Sequence, residues 1–116
     1  MAYKIVDAEY VLDNLGTLPL VDVRPDFMYE ESRIPGAISI ELIKAKESPR
    51  DTAECFVEEF AKAGLGPQDD FIVYCYDGGL AREACDLLES QGYSGQQCYQ
   101  GSWIDWISDD SRPVEA

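Results

Sequence analysis

Histidine is absent from this 116-residue chain. That removes Ser–His and Cys–His dyads, imidazole metal ligands and the side chain that most often serves as a general base near neutral pH. Positive charge is scarce as well: nine Lys and Arg stand against 23 Asp and Glu, a net charge of −14. A surface of that sign repels phosphate backbones and argues against a nucleic-acid partner. No apolar run approaches the roughly 18 residues needed to span a bilayer, so no membrane role is expected. The opening residues Met1 to Lys4 lack the apolar stretch of a secretion signal. Cys55, Cys75, Cys85 and Cys98 form no Cys-x-x-Cys pair, which gives no support for a zinc site or a redox pair. Free thiols in a cytoplasmic protein, with no metal and no cofactor, are the expectation. The length suits one domain over residues 1–116, with Met1 and a polar tail as its ends.

What is present alternates between short apolar runs and longer amphipathic ones. Leu18–Val23 and Phe71–Cys75 read as strands. Their near-continuous hydrophobicity is that of parallel strands covered on both faces. Ala37–Ile40 and Gln97–Tyr99 are weaker strand candidates, and Tyr3–Val6 reads as an edge strand. Helices are expected from an Asp7 cap to Leu15, from Asp26 to Ser32, from Thr52 to Ala63, from Leu80 to Gln91, and in a last turn from Ser102 to Ile107. The tail Ser108–Ala116 is expected to fray. Strand alternating with helix predicts an α/β domain, a mainly parallel five-stranded sheet with helices on both faces. In such sheets the functional crevice lies beyond the carboxyl ends of the strands. Two of those ends are chemically loaded: Asp22-Val-Arg24, and Cys75 with the glycines after it.

Tyr74-Cys75-Tyr76-Asp77-Gly78-Gly79-Leu80-Ala81-Arg82 places a thiol between a strand and a helix. A glycine loop there can turn backbone N–H groups toward one point, and the helix N-terminus adds partial positive charge. Both favour a sulfur anion without any histidine. Taken alone, the segment fits a buried core cysteine equally well.

The whole chain resembles the rhodanese (sulfurtransferase) family. Leu20-Val-Asp-Val-Arg24, then Arg33-Ile-Pro-Gly-Ala37, Ile72-Val-Tyr-Cys75, Gly92-Tyr93 and Gly101-Ser-Trp103 with Trp106 fall in the family's order, from about Lys4 to Pro113. The resemblance implies that Cys75 takes a sulfane sulfur from thiosulfate, mercaptopyruvate or a persulfide. Cys75 then passes it to cyanide, a small thiol or a protein thiol. It further implies that Tyr76, Asp77, Gly78, Gly79, Leu80 and Ala81 form the cradle for the sulfur, with Asp22, Arg24, Arg33, Arg82 and Trp103 in support. A non-catalytic, protein-binding or redox-sensing module of the same fold is the alternative.

The chain also departs from the family pattern. Tyr76 and Leu80 stand where many single-domain members carry basic or hydroxyl residues, and Asp77 adds negative charge. Two unit charges about 6 Å apart at an effective dielectric of about 20 interact by roughly 3 kcal/mol, so Asp77 is expected to oppose thiosulfate. Six residues separate Cys75 from Arg82, one more than in the cysteine phosphatases. Arg82 is therefore expected to pair with Asp86 on the helix. Cys85 is read as packing, Cys98 as packing or as a resolving thiol for Cys75, and Cys55 as neither. Trp103 and Trp106 are expected to anchor the core, Trp103 also walling the pocket. Asp105, Asp109, Asp110, Glu115, Glu30 and Glu31 read as a solvated acidic surface.

Overall fold

The computed structural model describes residues 3–116. Five strands form one sheet: β1 (Lys4–Val6), β2 (Leu20–Asp22), β3 (Ile38–Ser39), β4 (Phe71–Tyr74) and β5 (Gln96–Tyr99). Their order is β1-β5-β4-β2-β3 and every pairing is parallel. Parallel strands cannot be joined by a tight turn, so each connection carries helix across a face. The helices are α1 (Ala8–Asp13), α2 (Asp26–Glu31), α3 (Leu42–Lys46), α4 (Thr52–Lys62), α5 (Gly79–Ser90) and α6 (Ser102–Trp106). The α/β class, the five parallel strands and the edge position of β1 are those read from the sequence.

Side chains alternate between the two faces of a strand, and this alternation builds two cores. Phe71, Val73 and Cys75 join Phe56 and Phe60 of α4 and Ala81, Cys85 and Leu88 of α5. Ile72 and Tyr74 join Val11 of α1 and Trp103 and Trp106 of α6 on the opposite face. Every residue of β2 and β4 is buried, which is why their sequences read as apolar runs rather than as alternating ones.

The local signals hold in part. The Asp7 carboxylate caps α1 by accepting from Tyr10 N at 3.0 Å. Asp51 caps α4 one residue before the expected start, accepting from Glu54 N at 3.0 Å. Helix α3 has no side-chain cap, and the sequence reading assigned nothing there. It is held by burial of Leu42 and Ala45 in the α4–α5 core, a tertiary cause with no local signature.

The tail expected to fray is tied down instead. Arg33 and Glu115 exchange two backbone hydrogen bonds of 2.8 Å in an antiparallel bridge. The Trp106 indole donates to Pro113 O at 2.8 Å, and Arg112 Nη1 to Asp105 O at 2.6 Å. Glu115 is also more than a solvated charge. Its carboxylate accepts from Gly36 N at 2.9 Å and from Arg33 Nη2 at 3.1 Å, and these two contacts hold its pKa below the usual range. Among the described residues, no helix is long and apolar enough to cross a membrane.

Candidate active site

Cys75 follows the last residue of β4 and continues its alternation, so its side chain lies on the α5 face. The first turn of α6 secures the chain as it leaves the sheet. Trp103 N donates to Cys75 O at 2.9 Å, and Ile104 N to Tyr76 O at 3.0 Å. The loop then turns at Gly78, whose φ is +101°. A Cβ there would stand 2.1 Å from Gln100 O, so only glycine lets the loop pass this backbone. The turn aims Gly78 N and Ala81 N at Cys75 Sγ, at 3.1 and 3.3 Å. First-turn N–H groups of a helix lack partners within the helix, and here the sulfur supplies an acceptor. Cys75 is 1% exposed, yet its sulfur faces two aligned amide dipoles as well as hydrocarbon.

The rest of the loop divides its tasks. The Asp77 carboxylate is exposed and accepts from Gly79 N at 3.1 Å, so it occupies one loop donor itself. Leu80 packs against the α4–α5 core. Tyr76 is 47% exposed and shares a cavity of about 200 Å³ with Trp103, Arg24, Phe27, Met28, Glu31 and Ser32. Trp103 therefore both belongs to the α1–α6 core and walls this cavity.

A family model, the rhodanese-like domain, matches residues 7–109. The chain belongs to that family. This rhodanese-like domain is 28% identical over 96 residues to the mouse thiosulfate sulfurtransferase/rhodanese-like domain-containing protein 3, a match that covers 82% of the chain and 61% of the mouse protein. It is 26% identical over 97 residues to the human thiosulfate:glutathione sulfurtransferase, covering 83% of the chain and 84% of that protein. Among solved structures, it superposes on a human single-domain sulfurtransferase with a TM-score of 0.72 and 23% identity, covering 90% and 96% of the two chains. That likeness speaks to the fold.

The hydrogen bonds of the supporting residues Asp22, Arg24 and Arg33 go to groups other than the sulfur. Arg24 Nη2 meets Asp22 Oδ2 at 2.6 Å with both side chains buried, and it also donates to Ser32 O at 2.8 Å. The Tyr74 hydroxyl donates to Asp22 Oδ2 at 2.8 Å and accepts from Ile34 N at 3.2 Å. Burial opposes the Arg24 charge, but the hydrogen bonds and charge of Asp22 more than offset it and its pKa is raised. The guanidinium lies 4.6 Å from the Trp103 ring centroid, so Arg24 positions a cavity wall. Arg33 serves the tail: it donates to Tyr29 O and Glu115. Arg82 and Asp86 converge on the Tyr3 hydroxyl, which accepts from Arg82 Nε at 3.3 Å and donates to Asp86 Oδ1 at 2.6 Å. The expected Arg82–Asp86 pairing is thus bridged by a residue from β1's approach. The cause is tertiary: helical spacing sets the two side chains on one face, and only packing brings Tyr3 between them.

The other cysteines sort by their partners. Cys85 and Cys98 are fully buried, and each thiol is the main influence on the other's pKa. The Cys85 thiol is pushed up and the Cys98 thiol down. Cys98 thus faces Cys85 across the α5–β5 contact. Cys55 donates to Ser48 Oγ at 3.2 Å and lines a cavity of about 460 Å³ between α3 and α4.

Ser102 is the residue the sequence reading passed over. It is fully buried and has a φ of +59°, unusual for a residue with a side chain. Its Oγ accepts from Cys75 N at 3.1 Å, donates to Tyr99 O at 2.9 Å and lies 3.7 Å from Cys75 Sγ. The available signal was its place between Gly101 and Trp103, read there only as family pattern.

Proposed function

We propose that this domain is a sulfurtransferase in which Cys75 carries the sulfur as a persulfide. The observation that carries the reading is the pair of N–H groups, from Gly78 and Ala81, directed at a sulfur at the end of a parallel strand. Attack of the Cys75 thiolate on a sulfane sulfur forms Cys75–S–S⁻, and the donor leaves with the electron pair of the bond that breaks, as sulfite when the donor is thiosulfate. A thiol or cyanide acceptor then attacks the outer sulfur and returns the Cys75 thiolate. Neither step needs a general base once the sulfur is ionised, which fits a chain without histidine. The family and the sulfurtransferase names of its relatives support the reading. The donor is a persulfide in preference to thiosulfate, because Asp77 sets a carboxylate in the loop and fills one of its donors. Cytoplasmic location and a single domain belong to the same reading.

A second reading, a non-catalytic rhodanese-like module, draws on one observation: Cys75 is only 1% exposed. Mass spectrometry after donor exposure separates the two. Transfer requires a gain of one sulfur atom on Cys75, thiocyanate formation with cyanide, and loss of both in Cys75→Ser. An unmodified Cys75 with every donor tried leaves only the module.

A further inference from the structure

We infer that the cavity beside Tyr76 is a subsite for the cationic end of a small aminothiol, a thiol that carries an ammonium group on a short chain. The cavity holds about 200 Å³, room for a short alkylammonium rather than for a whole peptide. Three aromatic side chains line it: Phe27, Tyr76 and Trp103. A cation within about 6 Å of such a ring is attracted by its negative face. Phe27 is 68% exposed, so apolar surface is open to cover an alkyl chain.

The charges around the cavity favour the same ligand. Glu31 is exposed at its edge, and among the described residues its carboxylate has no ion-pair partner. Arg24 also lines the cavity, but Asp22 matches its charge at 2.6 Å and its Nη2 donates to Ser32 O as well. An entering anion therefore meets an unmatched carboxylate, whereas an ammonium meets that carboxylate and three rings. Two links tie the cavity to the sulfur. Tyr76 follows Cys75 in the chain, and Trp103 N donates to Cys75 O at 2.9 Å. That the bound cation is a thiol rests on the sulfurtransferase reading. An aminothiol thiolate attacks the outer sulfur of Cys75–S–S⁻ and supplies the pair for the new S–S bond. The Sγ–S bond breaks with its pair left on Sγ, and the aminothiol leaves as its own persulfide, with no oxidant or reductant consumed.

The first test involves no sulfur transfer. Three unreactive probes, S-methylcysteamine (cationic), methylthioethanol (neutral) and methylthiopropionate (anionic), are titrated into the unmodified chain and Glu31→Gln while the Trp103 indole N–H resonance is followed. The cation should bind about threefold to tenfold more tightly than the neutral probe, and the anion most weakly. Glu31→Gln should cut the preference for the cation at least about twofold. No response, an equal response to all three probes, or an undiminished preference in Glu31→Gln overturns the inference. The second test unloads sulfur-bearing Cys75 with cysteamine and with mercaptoethanol. The ratio of the two rates should fall in Glu31→Gln by the same factor, a comparison in which the acidity of each thiol cancels; an unchanged ratio overturns the aminothiol assignment. A Cys75 that never gains sulfur, with the probe preference intact, sinks the sulfurtransferase reading and leaves the cation subsite standing. A Cys75 that loads while the probes show no preference sinks the subsite alone.

Discussion

Strands β2 and β4 lie side by side, with Asp22 opposite Tyr74 in register, and both end in chemically loaded residues. The two ends use their polar groups in opposite ways. At β2, Asp22, Arg24 and Tyr74 satisfy one another in a buried net closed by Ser32 O and Ile34 N. At β4, the N–H groups of Gly78 and Ala81 converge on the Cys75 sulfur. The difference is one of strand parity. Asp22 and Tyr74 share the α1–α6 face, whereas Cys75, one residue on, points to the opposite face beneath the start of α5. A closed charge net stabilises the fold, while a donor set aimed at a single sulfur is available for chemistry.

The sharpest test of this contrast is Asp22→Ala. It leaves the Arg24 guanidinium buried without its partner and should cost about 3–5 kcal/mol of stability by denaturant unfolding. Cys75 should still gain sulfur under conditions where the variant remains folded. If stability barely changes, the β2 net is not the structural element described here. Gly78→Ala attacks the other end through backbone alone. Its Cβ would collide with Gln100 O, and forcing the loop aside should cost about 2–4 kcal/mol. Persulfide loading should fall by more than about tenfold as the amides turn away.

Tyr74→Phe probes the link between the two strands at about 1–3 kcal/mol, because it removes a donor to buried Asp22. It has a distinct pH signature. Burial first, then the charge of Asp22, push the Tyr74 phenol above its ordinary value of 10.0. The folded chain therefore keeps a proton that the unfolded chain releases. This contribution is fully present below pH 10.0 and is lost as pH rises beyond it, at about 1.4 kcal/mol per pH unit. Tyr74→Phe should flatten the alkaline decline by about one proton; an unchanged slope would remove Tyr74 from the account. Tyr99, also raised by burial and by Asp105, should sustain the remaining slope. The smallest effect belongs to Asp77→Ser. The carboxylate is exposed, so solvent screens it, and the KM for thiosulfate should fall by only about twofold to fivefold. A KM that stays level or rises counts against the charge argument.

Much of the scaffold was legible before any coordinates. Phe71–Tyr74 and Leu20–Asp22 announce buried parallel strands by their near-continuous apolar character, and Asp7 announces its helix by its capping position. Less legible were α3, whose five residues depend on Leu42 and Ala45 reaching a core made elsewhere, and the tail, which reads as polar but is held by Arg33 and Trp106. At the site, Cys75 and the glycines were legible as a group. The hydrogen-bond partners of Asp22, Arg24 and Arg33 were not, since loaded strand ends look alike in one dimension.

The amino-acid order by itself therefore determined the α/β class, the strand that delivers Cys75 and the glycine that lets the loop turn, because alternation, capping and turning are settled among near neighbours. Only the tertiary structure decided which polar groups meet. The Ser102 hydroxyl reaches Cys75 across 27 residues and Tyr74 reaches Asp22 across 52, and contacts at such separations exist only once sheet order and register have brought the strand ends together.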